Sequence, residues 1–121
     1  MGTLHSKGAS AAADEDVAEE VAAVMSALST RSRVQILGRL VDGPSTVGAL
    51  VAALGMEQPA VSHQLRVLRQ LGLVVGERRG RNVLYSLHDP HIGELLREAV
   101  SHAEHRRLGL RSHPGEIETA A

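Results

Sequence analysis

The chain has 121 residues, 43% hydrophobic and 22% charged, enough for one small domain and too short for two ordinary ones. It holds no Cys, Phe or Trp and one Tyr, which excludes disulfides, thiolate catalysis and thiolate metal sites and argues against single-strand binding by aromatic stacking. No apolar run approaches the roughly 20 residues of a membrane helix and no secretory pattern opens the chain, so a cytoplasmic protein without a membrane partner is expected.

The net charge of −1 is unevenly spread. Residues 31–81 carry eight arginines against three acids, a net of +5, while residues 1–30 sum to −4 and residues 82–121 to −2. A basic middle between acidic flanks suits one positive face turned to an anionic polymer.

Residues 1–13, small and polar without apolar periodicity, are expected to form a flexible N-terminal arm. Residues 14–107 are expected to form the folded unit, and 108–121 a flexible tail. From Asp14 onward, Val17, Val21, Val24, Met25 and Leu28 recur at helical spacing. Thr30 is a candidate N-cap for a second helix with Val34, Ile36, Leu37, Leu40 and Val41 inward, stopped by Asp42-Gly43-Pro44. Ser45 or Thr46 opens a third, with Val47, Leu50, Val51 and Leu54, closed by Gly55. Gln58-Pro59 opens a fourth with proline at the first helical position, pointing Val61, Leu65, Leu68 and Leu71 inward before Gly72.

The period then changes. Leu73–Glu77 and Val83–Leu87 are short strand candidates joined by an Arg78–Asn82 turn. Pro90 starts a last helix running to about Arg107, with Ile92, Leu95, Leu96, Ala99 and Ala103 on one face. The predicted class is mainly α with a small β-hairpin, in the order ααααββα. Two short helices joined by a Gly-containing turn and followed by a hairpin make a winged helix-turn-helix.

Gln58, Ser62, His63, Arg66 and Arg69 lie on the outward face of the fourth helix. Gln58 and Ser62, near its start, suit base edges in a major groove, and His63 suits a base or a phosphate. Arg66 and Arg69 suit phosphates, which position without specifying. Arg78, Arg79 and Arg81 crowd the hairpin tip, where a wing tracks the backbone or enters a minor groove. Either cluster alone reads as solvated arginines; both together, on the two elements a winged helix uses, point to double-stranded DNA.

The run from Ala60 to Leu87, AVSHQLRVLRQLGLVVGERRGRNVLYSL, resembles the ArsR/SmtB family of bacterial metal-sensing repressors. The likeness extends over roughly Ala18 to Arg107 and is strongest to the mycobacterial nickel/cobalt-sensing branch, through Gly55-Met56-Glu57-Gln58. It implies a homodimer built on the first and last helices, and operator contacts from Gln58, Ser62 and His63. Pro59 departs from the Ser that many members carry. The family's cysteine site at the start of the third helix is replaced by Val47-Gly48-Ala49-Leu50, which excludes thiolate sensing of arsenic, lead or cadmium.

Seven histidines are present. His102 and His105, three apart, share one face of the last helix, and Asp89 and His91 stand at its start. The eleven residues from His91 to His102 span about 16 Å of helix, so the two pairs cannot grip one ion within a chain. Two antiparallel copies of the helix across a dimer axis would bring Asp89 and His91 of one chain to His102 and His105 of the other, twice per dimer. Three imidazoles and a carboxylate suit Zn(II), Co(II) or Ni(II). Spacing alone leaves these as surface histidines or ligands; the resemblance implies ligands, because Asp-x-His, ten residues, then His-x-x-His is the family's interhelical metal signature. Ni(II) is the first expectation, with Co(II) or Zn(II) as alternatives, and His5 or His113 at the chain ends could enlarge the shell. His88 is read as a loop residue.

The expected function is therefore a metal-responsive DNA-binding regulator, by family default a repressor released by metal. A metal-independent regulator of the same fold, or one needing a second regulatory protein, is the alternative. A metallohydrolase is remote: His102-Ala103-Glu104-His105 is not HExxH, and nothing supplies a general base.

Overall fold

Helical periodicity followed by alternation becomes five helices and one hairpin in the computed structural model, which describes residues 8–112, with side chains to residue 109. The helices are α1 (Glu15–Ala27), α2 (Arg31–Val41), α3 (Val47–Leu54), α4 (Gln58–Gln70) and α5 (Pro90–Ser112). The strands β1 (Val74–Arg79) and β2 (Asn82–Leu87) lie between α4 and α5. Where the sequence predicts an arm, Gly8–Ala13 forms 3-10 turns that run into α1. The Asp14 carboxylate caps α1, accepting from the amides of Asp16 and Val17 at 3.0 and 3.2 Å. The last helix also runs further than Arg107, through Gly109 to Ser112.

Two helix boundaries differ in instructive ways. Glu57 is the N-cap of α4, so Gln58 is its first residue and Pro59 its second; the absent N–H still falls among the unpaired amides of a first turn. At the other end, Leu73 N–H donates to the Leu68 carbonyl at 2.9 Å and Gly72 N–H to the Arg69 carbonyl at 3.0 Å. These two bonds, with Gly72 at φ 76, form a Schellman closure. It swings Leu71 outward, leaving it 49% exposed, and puts Leu73 in the core instead. The inward placement of Leu71 is thereby corrected.

The strands are longer than the sequence suggests. Pairing runs from Val74↔Leu87 to Arg79↔Asn82, leaving a two-residue turn of Gly80 and Arg81. Gly80 takes φ 63 in the first turn position, which matches the right-handed twist of a tight hairpin. Ser45 bridges the outer side of β2 by exchanging amide bonds with Tyr85 at 2.8 and 2.9 Å, tying the start of α3 to the wing.

Ile36 and Leu37 from α2, Leu50 from α3, and Val61, Leu65 and Leu68 from α4 are fully buried. Ile92 and Leu96 dock α5 on this core, and Ala27 is the buried residue of α1. The rest of α1 stands off, with Val21, Val24 and Met25 exposed; Val34 and Val100 are exposed too. Met25, Leu28, Val34, Leu95, Leu96, Ala99, Val100 and Ala103 line one apolar groove of about 360 Å³.

The corrected packing predicts a contrast between two leucines. Leu65→Ala removes a fully buried side chain and should lower unfolding free energy by about 2–5 kcal/mol. Leu71→Ala, at the exposed position, should stay within about 0.5 kcal/mol of the parent. Urea denaturation followed by circular dichroism reads both.

Candidate nucleic-acid interface and histidine pairs

The amphipathic spacing of α4 buries Val61, Leu65 and Leu68 and so turns Gln58, His63, Arg66 and Arg69 to solvent, with Ser62 half-buried. Its first turn is free to approach a ligand, because Glu57 makes no side-chain cap there. The helix before it is fixed by Thr46, whose hydroxyl accepts from the Ala49 amide at 3.2 Å, and by the αL glycine Gly55.

The hairpin divides its arginines. Successive strand residues face opposite sides, so Glu77 and Arg79 share one face and Arg78 takes the other. Glu77 and Arg79 pair at 3.2 Å across exposed side chains, which partly neutralises the wing. Arg78, opposite Val83 in the register, shares the face of Val83 and Tyr85. Gln58, from the start of α4, and Arg81, from the turn, line a single cleft of about 440 Å³ with Thr46, Asn82, Val83 and Tyr85. Among the described residues no hydrogen bond or ion pair occupies the side chain of Arg78 or Arg81. The sequence reading missed Glu77; strand alternation shows the pair once β1 is extended to Arg79.

Asp89 immediately precedes α5, and its carboxylate accepts from the His91 amide at 2.8 Å. His88 Nδ1 lies 3.3 Å from one carboxylate oxygen and His91 Nδ1 3.4 Å from the other. His88 is thus a partner of Asp89, a role its loop assignment did not anticipate. The His88 hydrogen bond is the main cause holding the Asp89 carboxyl below its ordinary range, helped by the amides of His91 and Ile92 and the charge of His91, against partial desolvation. A depressed carboxylate contributes stability above its unfolded pKa, and that contribution is lost as pH falls through the lowered folded value.

His102 and His105 lie on α5, both exposed, and are not brought to Asp89 and His91 within the chain. Among the described residues no three His, Asp or Glu side chains are arranged so that they could hold one metal ion together. His5 and His113 lie outside the described residues. The donor chemistry nonetheless fits a first-row divalent ion: an exposed carboxylate–imidazole pair at one end of the helix and two imidazoles on one face further along. Among the described residues no helix is long and apolar enough to cross a membrane.

Residues 30–75 match the family model described as bacterial regulatory protein, arsR family. The chain is 56% identical over 106 residues to the HTH-type transcriptional regulator NmtR of Mycobacterium tuberculosis, covering 87% of this chain and 88% of that one. It is 43% identical over 89 residues to the transcriptional repressor SmtB homolog of Synechocystis, covering 74% and 67%. The solution structure of apo-NmtR matches with a TM-score of 0.70 at 55% identity, over 85% of this chain and 87% of that one. The crystal structure of the AntR antimony-specific transcriptional repressor matches at 0.71 with 30% identity, over 77% and 85%. The chain belongs to the arsR family of bacterial regulatory proteins and is a winged helix-turn-helix transcriptional regulator, not an enzyme.

Proposed function

We propose that this regulator is a homodimeric, metal-responsive repressor that binds a palindromic operator as the metal-free form and releases it when Ni(II), or else Co(II) or Zn(II), is bound between the last helices. The observation that carries the DNA half is the cleft shared by Gln58 and Arg81, which sets the start of α4 and the tip of the wing on one side. Gln58, Ser62 and His63 would read base edges, while Arg66, Arg69, Arg78, Arg79 and Arg81 would grip phosphate. Two α4 helices would enter successive major grooves, about 34 Å apart.

The dimer reading is supported by the bare groove between α1, α2 and α5, whose apolar lining has no covering element among the described residues. A partner's α1 and α5 would cover it. Asp89 and His91 of one protomer, with the partner's His102 and the partner's His105, would then hold the ion. The ion's contribution is to cross-link the two helices; His5 and His113 are candidates for further ligands.

Replacing Arg78, Arg79 and Arg81 with Ala should weaken binding to all duplexes and lower the salt slope by roughly one for each phosphate no longer neutralised. Because Glu77 already holds Arg79, the single Arg79→Ala change should cost less than Arg78→Ala or Arg81→Ala. Ser62→Ala and His63→Ala should instead reduce preference for the operator over random duplex. Titrations at several salt concentrations decide this; a triple variant with the parent's affinity and slope contradicts the wing assignment.

The metal site has a test that separates ligation from folding. Asn caps helices as well as Asp does, so Asp89→Asn should keep thermal stability within about 1 kcal/mol yet lose tight metal binding. His91→Ala and His102→Ala homodimers should each lose every site. A mixed dimer, with one change in each chain, should recover one high-affinity ion, because one shared site then keeps all four ligands. Calorimetric titration that finds no recovered site contradicts sharing across the dimer.

A further inference from the structure

Arg33 is half-buried on α2 and is spent on neither the proposed DNA face nor the histidine pairs. Its Nη1 donates to the carbonyl of Ala27, the last residue of α1, at 3.0 Å. Its Nε donates to Oε1 of Gln64 in α4 at 2.9 Å. One guanidinium therefore touches the helix proposed to form the dimer and the helix proposed to read DNA.

The chemistry suits both contacts. The last carbonyls of a helix lack intrahelical donors and carry partial negative charge, so a cation placed there is favoured. A planar guanidinium offers several N–H groups in fixed directions and can serve two acceptors at once, which a lysine ammonium does less well. The junction also matters mechanically. Among the described residues α1 enters the core only through Ala27, with Leu28 at its C-cap packed against it, and Leu28–Thr30 is a three-residue connector. α4, by contrast, is locked to α2 and α3 through Val61, Leu65 and Leu68. The angle between α1 and the body carrying α4 thus rests on Ala27, Leu28 and the Arg33 bonds.

We propose that Arg33 is a positioning residue: by joining the Ala27 carbonyl to Gln64 it fixes α4 relative to α1, and so sets the spacing of the two recognition helices when two chains pair. The proposal rests on the dimer reading above. Gln64 follows His63 directly, so the acceptor that Arg33 holds is adjacent to a side chain proposed to meet DNA.

The absence of cysteine makes the test clean, since one introduced cysteine per chain carries one spin label. Gln70→Cys, exposed at the end of α4, reports spacing between recognition helices; Glu19→Cys, exposed on α1, reports the dimer itself. In the otherwise unchanged metal-free protein, pulsed electron resonance should give a single narrow interchain distance for each label. Arg33→Ala and Gln64→Ala should broaden the Gln70→Cys distribution and leave the Glu19→Cys one as it was. Gln64→Glu keeps an acceptor oxygen and should restore the single peak, which also separates positioning from general loss of fold if Arg33→Ala does not fold. An unchanged Gln70→Cys distribution in Gln64→Ala, or equal broadening of both labels, overturns the proposal. Absence of any interchain distance before Arg33 or Gln64 is changed overturns the dimer reading itself.

Discussion

An α-helix advances about 1.5 Å per residue, and α5 is unbroken from Pro90 to Ser112. That rigid rise keeps His91 and His102 about 16 Å apart, whatever their side chains do. No rearrangement short of breaking the helix can gather Asp89, His91, His102 and His105 around one ion in one chain. A second copy can, because a two-fold axis reverses the helix and sets the near end of one against the far end of the other. Sensing and assembly would then be one property, and an ion held there would act on the relation between protomers.

The distribution of apolar surface agrees with that constraint. The buried leucines of α2, α3 and α4, with Ile36 and Val61, close a core that has no aromatic among its buried members, and α5 reaches it through Ile92 and Leu96. Val21, Val24 and Met25 on α1 and Val100 and Leu108 on α5 find no place in it. Apolar burial is worth roughly 25 cal/mol per Å², so a groove and two helix faces of this kind favour pairing over hydration. The helix proposed to read DNA, α4, is linked to the end of α1 through Arg33.

Much of the fold was legible because it depends on local chemistry. Helical spacing, Thr46, Gly55 and Gly72 marked the helices, and the change of period at Leu73 marked the wing. What escaped was set by hydrogen bonding between elements. The Schellman closure turned Leu71 outward, and the backbone exchange between Ser45 and Tyr85 extended the wing toward α3. Strand alternation put Glu77 beside Arg79, a pairing hidden while Arg79 was read as turn. The histidine pairs could be placed at the two parts of α5 from spacing, and their proposed meeting rests on a two-fold partner and on the family resemblance, not on any contact within the chain. Arg33 gave no signal at all: one arginine among eight in the basic segment, distinguished only by what it touches.

The most direct test of metal-responsive repression is a linkage measurement at one fixed salt concentration. A labelled duplex, selected from a random library by the metal-free protein, is titrated with and without saturating Ni(II), Co(II) or Zn(II). Coupling of about 1–3 kcal/mol would weaken DNA binding roughly 5–150-fold in the presence of the sensed ion, and the duplex would weaken metal binding by the same factor. Equal affinity for the duplex in the metal-free and metal-saturated states, for all three ions, would contradict the account.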